Sequence, residues 1–172
     1  DVIDAIAAKR PGKRALVWCN DKGDHRSFTF GELKRNIDKT AAFFAGLGIG
    51  KGDPVMLILK RHYEFWFCLP ALHKIGAIAI PATHLLKAKD IIYRNNAASV
   101  KMIVCVDEPE ILDQIDNAHK ESPTLQHKIV VGNQRPGWIA FHPGIEKASE
   151  KFSRPTGKQA VKNDDICLLY FT

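Results

Sequence analysis

The stretch GLGIGKGDPVMLIL, Gly46 to Leu59, decides how the chain is read. Its glycines invite comparison with a phosphate-binding loop. A dinucleotide fingerprint needs G-x-G-x-x-G directly after a strand and opening a helix, so that backbone amides face a pyrophosphate. Counting from Gly46, the sixth position is Lys51; counting from Gly48, it is Asp53. The order of elements is reversed as well. Leu33, Ile37, Ala41, Phe44 and Leu47 recur at helical spacing ahead of the glycines. The unbroken apolar run PVMLIL behind them reads as a strand covered on both faces. The stretch is a helix-to-strand turn, and it points to a parallel sheet.

Working outward, RALVWCN (Arg14 to Asn20) and HRSFTF (His25 to Phe30) flank a DKGD turn and read as a β-hairpin. Thr29 and Glu32 have the spacing of a capping box at the start of the following helix. Beyond Leu59, a helix is expected over His62 to Gly76, with Pro70 as a kink and Gly76 as its stop. The run AIAIP is a short strand, Lys87 to Ala98 a helix, Lys101 to Val106 a strand, Glu108 to Lys120 a helix and Lys128 to Gly132 a strand. A Gly, Pro and Trp loop and a polar helix near Ile145 to Lys151 lead to DDICLLYFT (Asp164 to Thr172), read as a final buried strand. This alternation predicts one α/β domain over 1–172: a doubly wound, mainly parallel sheet flanked by helices and preceded by a hairpin.

Composition narrows the function classes. Of 172 residues, 45% are hydrophobic and 26% charged, and the formal net charge is +6. The basic residues are scattered rather than blocked, so they read as a generally solvated surface and not as a nucleic-acid interface, and a phosphorylated ligand also fits a modestly basic chain. A basic α/β domain binding DNA or RNA is the alternative, recognisable by steep salt dependence. Cys19, Cys68, Cys105 and Cys167 show no C-x-x-C spacing and read as buried thiols in a reducing compartment. No apolar stretch reaches membrane-spanning length. Cytoplasm is expected, with the mitochondrial matrix as the alternative, because the chain begins at Asp1 and not at Met.

Known catalytic patterns are missing. Gly157-Lys158 is followed by Gln159 and has Phe152 where a Walker motif needs glycine. There is no H-E-x-x-H and no G-x-S-x-G. His62 and His73 stand eleven positions apart, too far to share a metal. His25, His119, His127 and His142 read as solvated. Phe65, Trp66 and Phe67 at consecutive positions read as a buried helix. His84, in ATHLL after AIAIP, is placed where open parallel sheets collect ligands.

Four segments in order carry a resemblance: FTFGELKR, GLGIGKGDPVMLIL, LPALHKIGAIAIPATHLL and DDICLLYFT. Together they resemble the amino-terminal part of the adenylate-forming enzymes, which include acyl-CoA synthetases, adenylation domains and luciferases. PATHLLKAKDIIYR, HKIVVG and the GW of PGWIAF are most similar to acyl-CoA synthetases of the acetate and medium-chain type. The resemblance implies an acid–thiol ligase that uses ATP, Mg²⁺, CoA and a carboxylic acid. It implies that Thr172 opens a Gly/Ser/Thr-rich loop around the ATP phosphates, and that Thr83 and His84 face the acyl and CoA side. It also implies that the rest of the nucleotide site and a carboxyl-terminal domain lie beyond Thr172. On that basis this chain alone is expected to be inactive. No catalytic or metal-binding residue is expected within it. An adenylation domain that loads a carrier protein is the alternative.

Overall fold

The computed structural model describes residues 2–171. Helix α1 (Val2–Lys9) precedes a hairpin of β1 (Arg14–Cys19) and β2 (His25–Thr29), followed by α2 (Phe30–Gly46). Then come β3 (Pro54–Ile58), α3 (Phe65–Ile75), β4 (Ile78–Pro81), α4 (Ala88–Ala98), β5 (Met102–Val106), α5 (Pro109–His119), β6 (His127–Val131), β7 (Ile139–Ala140) and α6 (Phe141–Lys147). The five later strands form one parallel sheet in the order β4-β3-β5-β6-β7. The chain steps outward from β3 to β4 and then returns past β3 to β5. That reversal creates a switch point between β3 and β5, where loops diverge and a crevice opens.

The expected elements form for the expected reasons. Thr29 Oγ1 accepts from the Glu32 amide at 3.3 Å, and the Glu32 carboxylate accepts from the Thr29 amide at 2.8 Å, so two otherwise orphaned donors are satisfied. Every residue of β5 is buried, as are Val55 to Ile58 of β3, which fits strands covered on both faces. Ile37, Ala41 and Phe44 of α2 are fully buried. Phe141 of α6 meets the Phe44 ring at 6.4 Å, carrying the core past β6. Burying one such side chain contributes about 1.5–3 kcal/mol.

Helices α1, α2 and α3 share a buried charge network. Lys74 Nζ lies 2.6 Å from Asp4 Oδ1 and 2.6 Å from Asp38 Oδ1, and Lys34 Nζ meets Asp38 Oδ2 at 2.5 Å. Asp38 and Lys74 are both buried. Each is the other's buried counter-charge, and losing one would leave the remaining charge buried with a single partner, Lys34 for Asp38 or Asp4 for Lys74.

Several expectations need correction. Helix α3 starts at Phe65, because residues 59–64 form the turn leaving β3. Trp66 on it is half exposed, so its aromatic run is not buried on every side. The polar helix lies at Phe141–Lys147, four residues earlier than expected. Cys68 and Cys105 are buried, but Cys19 and Cys167 are exposed. The terminal run 164–171 is not a buried strand: it makes one parallel bridge, Leu168 with Ala79. Ile166 is 63% and Tyr170 65% exposed, while Leu169 and Phe171 lean on the core. The run lies outside the free edge of β4, where only one of its faces is covered. Thr172 lies outside the described residues.

Candidate functional site

The loops leaving the carboxyl ends of β3, β4, β5 and β6 line the crevice at the switch point. After β3 the chain turns at Lys60, whose φ of 49° is the left-handed conformation that a side chain disfavours. This turn aims Lys60 across the sheet, and its Nζ pairs with Glu108 Oε1 at 2.5 Å. Glu108 is the residue that opens α5. Strain concentrated at the ligand end of a parallel sheet is a common mark of a working site.

His84 is half-buried in the loop after β4 and lines two adjoining clefts, each shared with Lys60. One, of about 510 Å³, is walled by Trp18, Asn20, Arg61 and His62. The other, of about 500 Å³, is walled by Lys87, Glu108 and Gln114. Lys60 and Arg61 against Asp21 leave the first cleft with an excess of positive charge, suited to a phosphorylated or carboxylated ligand, whereas Lys60 and Lys87 are balanced by Glu108 and Glu110 in the second. Thr83 has a different part. It is exposed, its Oγ1 accepts from the Leu85 amide at 3.3 Å, and it lines neither cleft. Its hydroxyl shapes the turn that presents His84. The structure thus brings His84 into the crevice and leaves Thr83 behind it.

The hairpin forms one wall. Trp18 Nε1 donates to the Arg61 carbonyl at 2.6 Å, and its ring meets Tyr63 at 5.3 Å. Phe28 bridges Tyr63 and Phe67, each at 5.3 Å. Arg26 lies 5.5 Å from the centre of the Tyr63 ring. Such ring contacts add about 0.5–1.5 kcal/mol per pair beyond simple burial, enough to hold the loop after β3 in one place.

A further cleft of about 620 Å³, sharing Trp18 and His62 with the first, is lined by Glu64, which is only 2% exposed. Its Oε1 faces His142 Nε2 at 3.1 Å, while Oε2 has no hydrogen bond and lies 3.6 Å from His62 Nδ1. Burial alone would raise its pKa, but the two imidazoles outweigh that effect and hold the carboxyl at about 2. The Tyr63 hydroxyl is pushed up to about 12 by burial and by the Glu64 charge. At the end of β6, a Cβ on Gly132 would come within 2.5 Å of Asp107 Cβ. Asp107 Oδ2 accepts from the Asn133 amide at 2.9 Å, so the absence of a side chain at 132 lets the two loops close.

His142 was expected to be solvated and instead ties α6 to Glu64. His127 and His119 also have partners, the carbonyls of Leu47 at 2.9 Å and Leu125 at 3.1 Å. Sequence reasoning missed Lys60, Glu64 and Glu108, because their partners are distant along the chain. The available signal was positional: Lys60 directly follows an apolar run, and Glu108 and Glu64 come two and five residues after one, in the loops where parallel strands end.

Comparison with known proteins places this geometry in a family. The AMP-binding enzyme family matches residues 3–172. The mitochondrial acyl-coenzyme A synthetase ACSM5 of Mus musculus is 34% identical over 179 residues, which cover 100% of this chain and 30% of that protein. The mitochondrial acyl-coenzyme A synthetase ACSM1 of Homo sapiens is 33% identical over 180 residues, covering 99% and 30%. The chain thus spans about 30% of the length of the curated relatives it matches. Among solved structures, the anthranilate CoA ligase AuaEII in complex with anthranoyl-AMP aligns with a TM-score of 0.81 at 21% identity, over 98% of this chain and 31% of that one. The acyl-CoA synthetase of Brucella canis aligns with a TM-score of 0.78 at 21% identity, over 94% and 29%. These two likenesses show the same doubly wound fold with its leading hairpin. With the match running through nearly every residue, the chain belongs to the AMP-binding enzyme family.

Proposed function

We propose that this chain is the amino-terminal part of the nucleotide-binding domain of an AMP-forming acyl-CoA ligase. The observation that carries the reading is the family match over residues 3–172. The acyl-coenzyme A synthetase names of its relatives support the ligase class. In this reaction a carboxylate attacks the α-phosphorus of ATP, pyrophosphate leaves, and an acyl-adenylate forms. The CoA thiol then attacks the acyl carbon and AMP departs. Activation is needed because a carboxylate would otherwise have to expel oxide. Catalysis of the first half is chiefly positioning and charge neutralisation.

The cleft around Lys60, Arg61 and His84, where positive charge is in excess, fits the CoA side of that chemistry, with Thr83 setting the loop and His84 facing the ligand. Thr172 opens the phosphate loop in this reading. Mg²⁺ would neutralise phosphate charge. Among the described residues no group of three His, Cys, Asp or Glu side chains is arranged to hold a metal ion, so no Mg²⁺ ligand is assigned here. The acid is of acetate to medium-chain size. The relatives' names favour the mitochondrial matrix over the cytoplasm. Among the described residues no helix is long and apolar enough to cross a membrane.

Product analysis tests this reading. The longer protein, given acid, ATP, Mg²⁺ and CoA, is expected to yield acyl-CoA and AMP in equal amounts. Acyl transfer only to a carrier-protein thiol would replace it with the adenylation-domain alternative. The 172-residue chain alone is expected to form neither product.

A further inference from the structure

The turn between α2 and β3 does more than reverse the chain. Lys51 Nζ lies 2.7 Å from Asp165 Oδ2 and donates to the Ala160 carbonyl at 2.7 Å, reaching a segment more than a hundred residues away. Asp165 Oδ2 also accepts from the Lys162 amide at 2.6 Å. The backbone under Lys51 is itself held, because the Gly52 amide donates to the Gly76 carbonyl at 2.8 Å. Gly76 ends α3 at φ 88°, and a Cβ there would come within 3.0 Å of Val161 Cγ2 and 3.3 Å of Lys51 Cγ. The missing side chain lets the lysine stem and the distal segment pack on the same spot.

Past this contact the segment runs along the free edge of β4. The Ala79 amide donates to the Cys167 carbonyl and the Leu169 amide to the Ala79 carbonyl, each at 3.0 Å. None of residues 160–171 is buried. Apolar packing holds only its far end, where Leu169 and Phe171 lean on the core, and the stretch before that opens easily unless it is tied down. Lys51 makes two of the ties. The side chains of Lys51 and Asp165 are only 19% and 25% exposed, unlike a freely solvated surface pair.

We propose that Lys51 is a positioning residue: paired with Asp165, it clamps residues 160–169 onto the free edge of β4 and fixes where the chain beyond Phe171 is delivered. The clamp stands on the contacts above. Its consequence for ATP rests on the reading given under Proposed function, in which the delivered residues open the phosphate loop. The hydrogen bond from Lys51 is the first cause of the lowered pKa of Asp165.

Amide hydrogen exchange on the full chain tests the clamp. With Lys51→Met, exchange at the Leu169 and Ala79 amides should rise at least tenfold while Ile103 and Val104 in β5 stay unchanged. Lys51→Arg should keep most of the protection, and Lys51→Met with Asp165→Asn should add little to the single change. Unchanged protection at Leu169, or an equal rise throughout β5, overturns the proposal. A second readout uses the longer ligase. There Lys51→Met should raise KM for ATP severalfold more than it lowers kcat, with Lys51→Arg restoring it. An unaltered KM overturns the positioning role. If the unmodified ligase makes no adenylate, the functional reading fails, and hydrogen exchange still decides the clamp.

Discussion

Lys60 Nζ lies 2.5 Å from Glu108 Oε1, so an ion pair spans the switch point between the end of β3 and the start of α5. Both side chains are about one-third exposed, and such a pair contributes only about 0–1 kcal/mol to stability. Its placement matters more than its strength. A phosphate arriving at the crevice must draw Lys60 away from Glu108. Glu108→Gln should therefore tighten CoA binding by the longer ligase a fewfold at low salt. Lys60→Met should weaken it roughly tenfold, the loss of one charge-assisted hydrogen bond. Titration calorimetry with CoA reads both, and equal affinities in all three proteins would remove Lys60 from the site.

Lys60 also carries backbone strain, at φ 49°. Lys60→Ala and Lys60→Gly remove the same ion pair but differ in tolerance of that conformation. The glycine variant should be the more stable by roughly 1 kcal/mol, measured by urea unfolding. A more stable alanine variant would mean that the turn relaxes to negative φ without cost.

Lys74 holds three helices through Asp4 and Asp38, each at 2.6 Å. Lys74→Ala leaves Asp38 buried with only Lys34 as its cation, and should destabilise the chain by at most about 3–5 kcal/mol. Lys74→Met with Asp38→Leu removes both charges and should recover much of that loss. If the double variant is no better than the single one, packing and not charge sets the cost.

Glu64 gives the fold an acid-sensitive element. Its folded pKa of about 2 lies below the ordinary 4.5, so its contribution is fully present above pH 4.5. That contribution fades as pH falls toward 2, where the folded carboxylate also takes a proton. The depression amounts to at most roughly 3 kcal/mol. Stability measured from pH 5 to pH 2 should fall less steeply in Glu64→Gln than in the unmodified chain. Parallel curves would show that His62 and His142 do not stabilise the carboxylate.

Thr29 tests the sequence reading itself. Thr29→Ala removes the side-chain half of the capping box at α2 and should cost about 1 kcal/mol, visible as a lower urea midpoint with unchanged slope. The box was legible because its two partners are three residues apart. The covered strands were legible because β3 and β5 are continuous apolar runs. Local pattern could not show what lies beside a strand in space. DDICLLYFT has the composition of a core strand, yet its described residues 164–171 lie on an open edge, held by one bridge at Leu168 and by Lys51. His142 looked solvated because its partner, Glu64, lies in the turn after β3, far away along the chain. The crevice was legible only as a place, marked by His84 after β4, since Lys60 and Glu108 meet through the sheet and not through the sequence.

The most direct test of the ligase reading is the exchange of labelled pyrophosphate into ATP by the longer protein, with and without carboxylic acids from acetate to medium-chain length. Exchange that depends on the acid and on Mg²⁺, and needs no CoA, is the expected result. Absence of exchange with every acid, or exchange indifferent to acid, would contradict it.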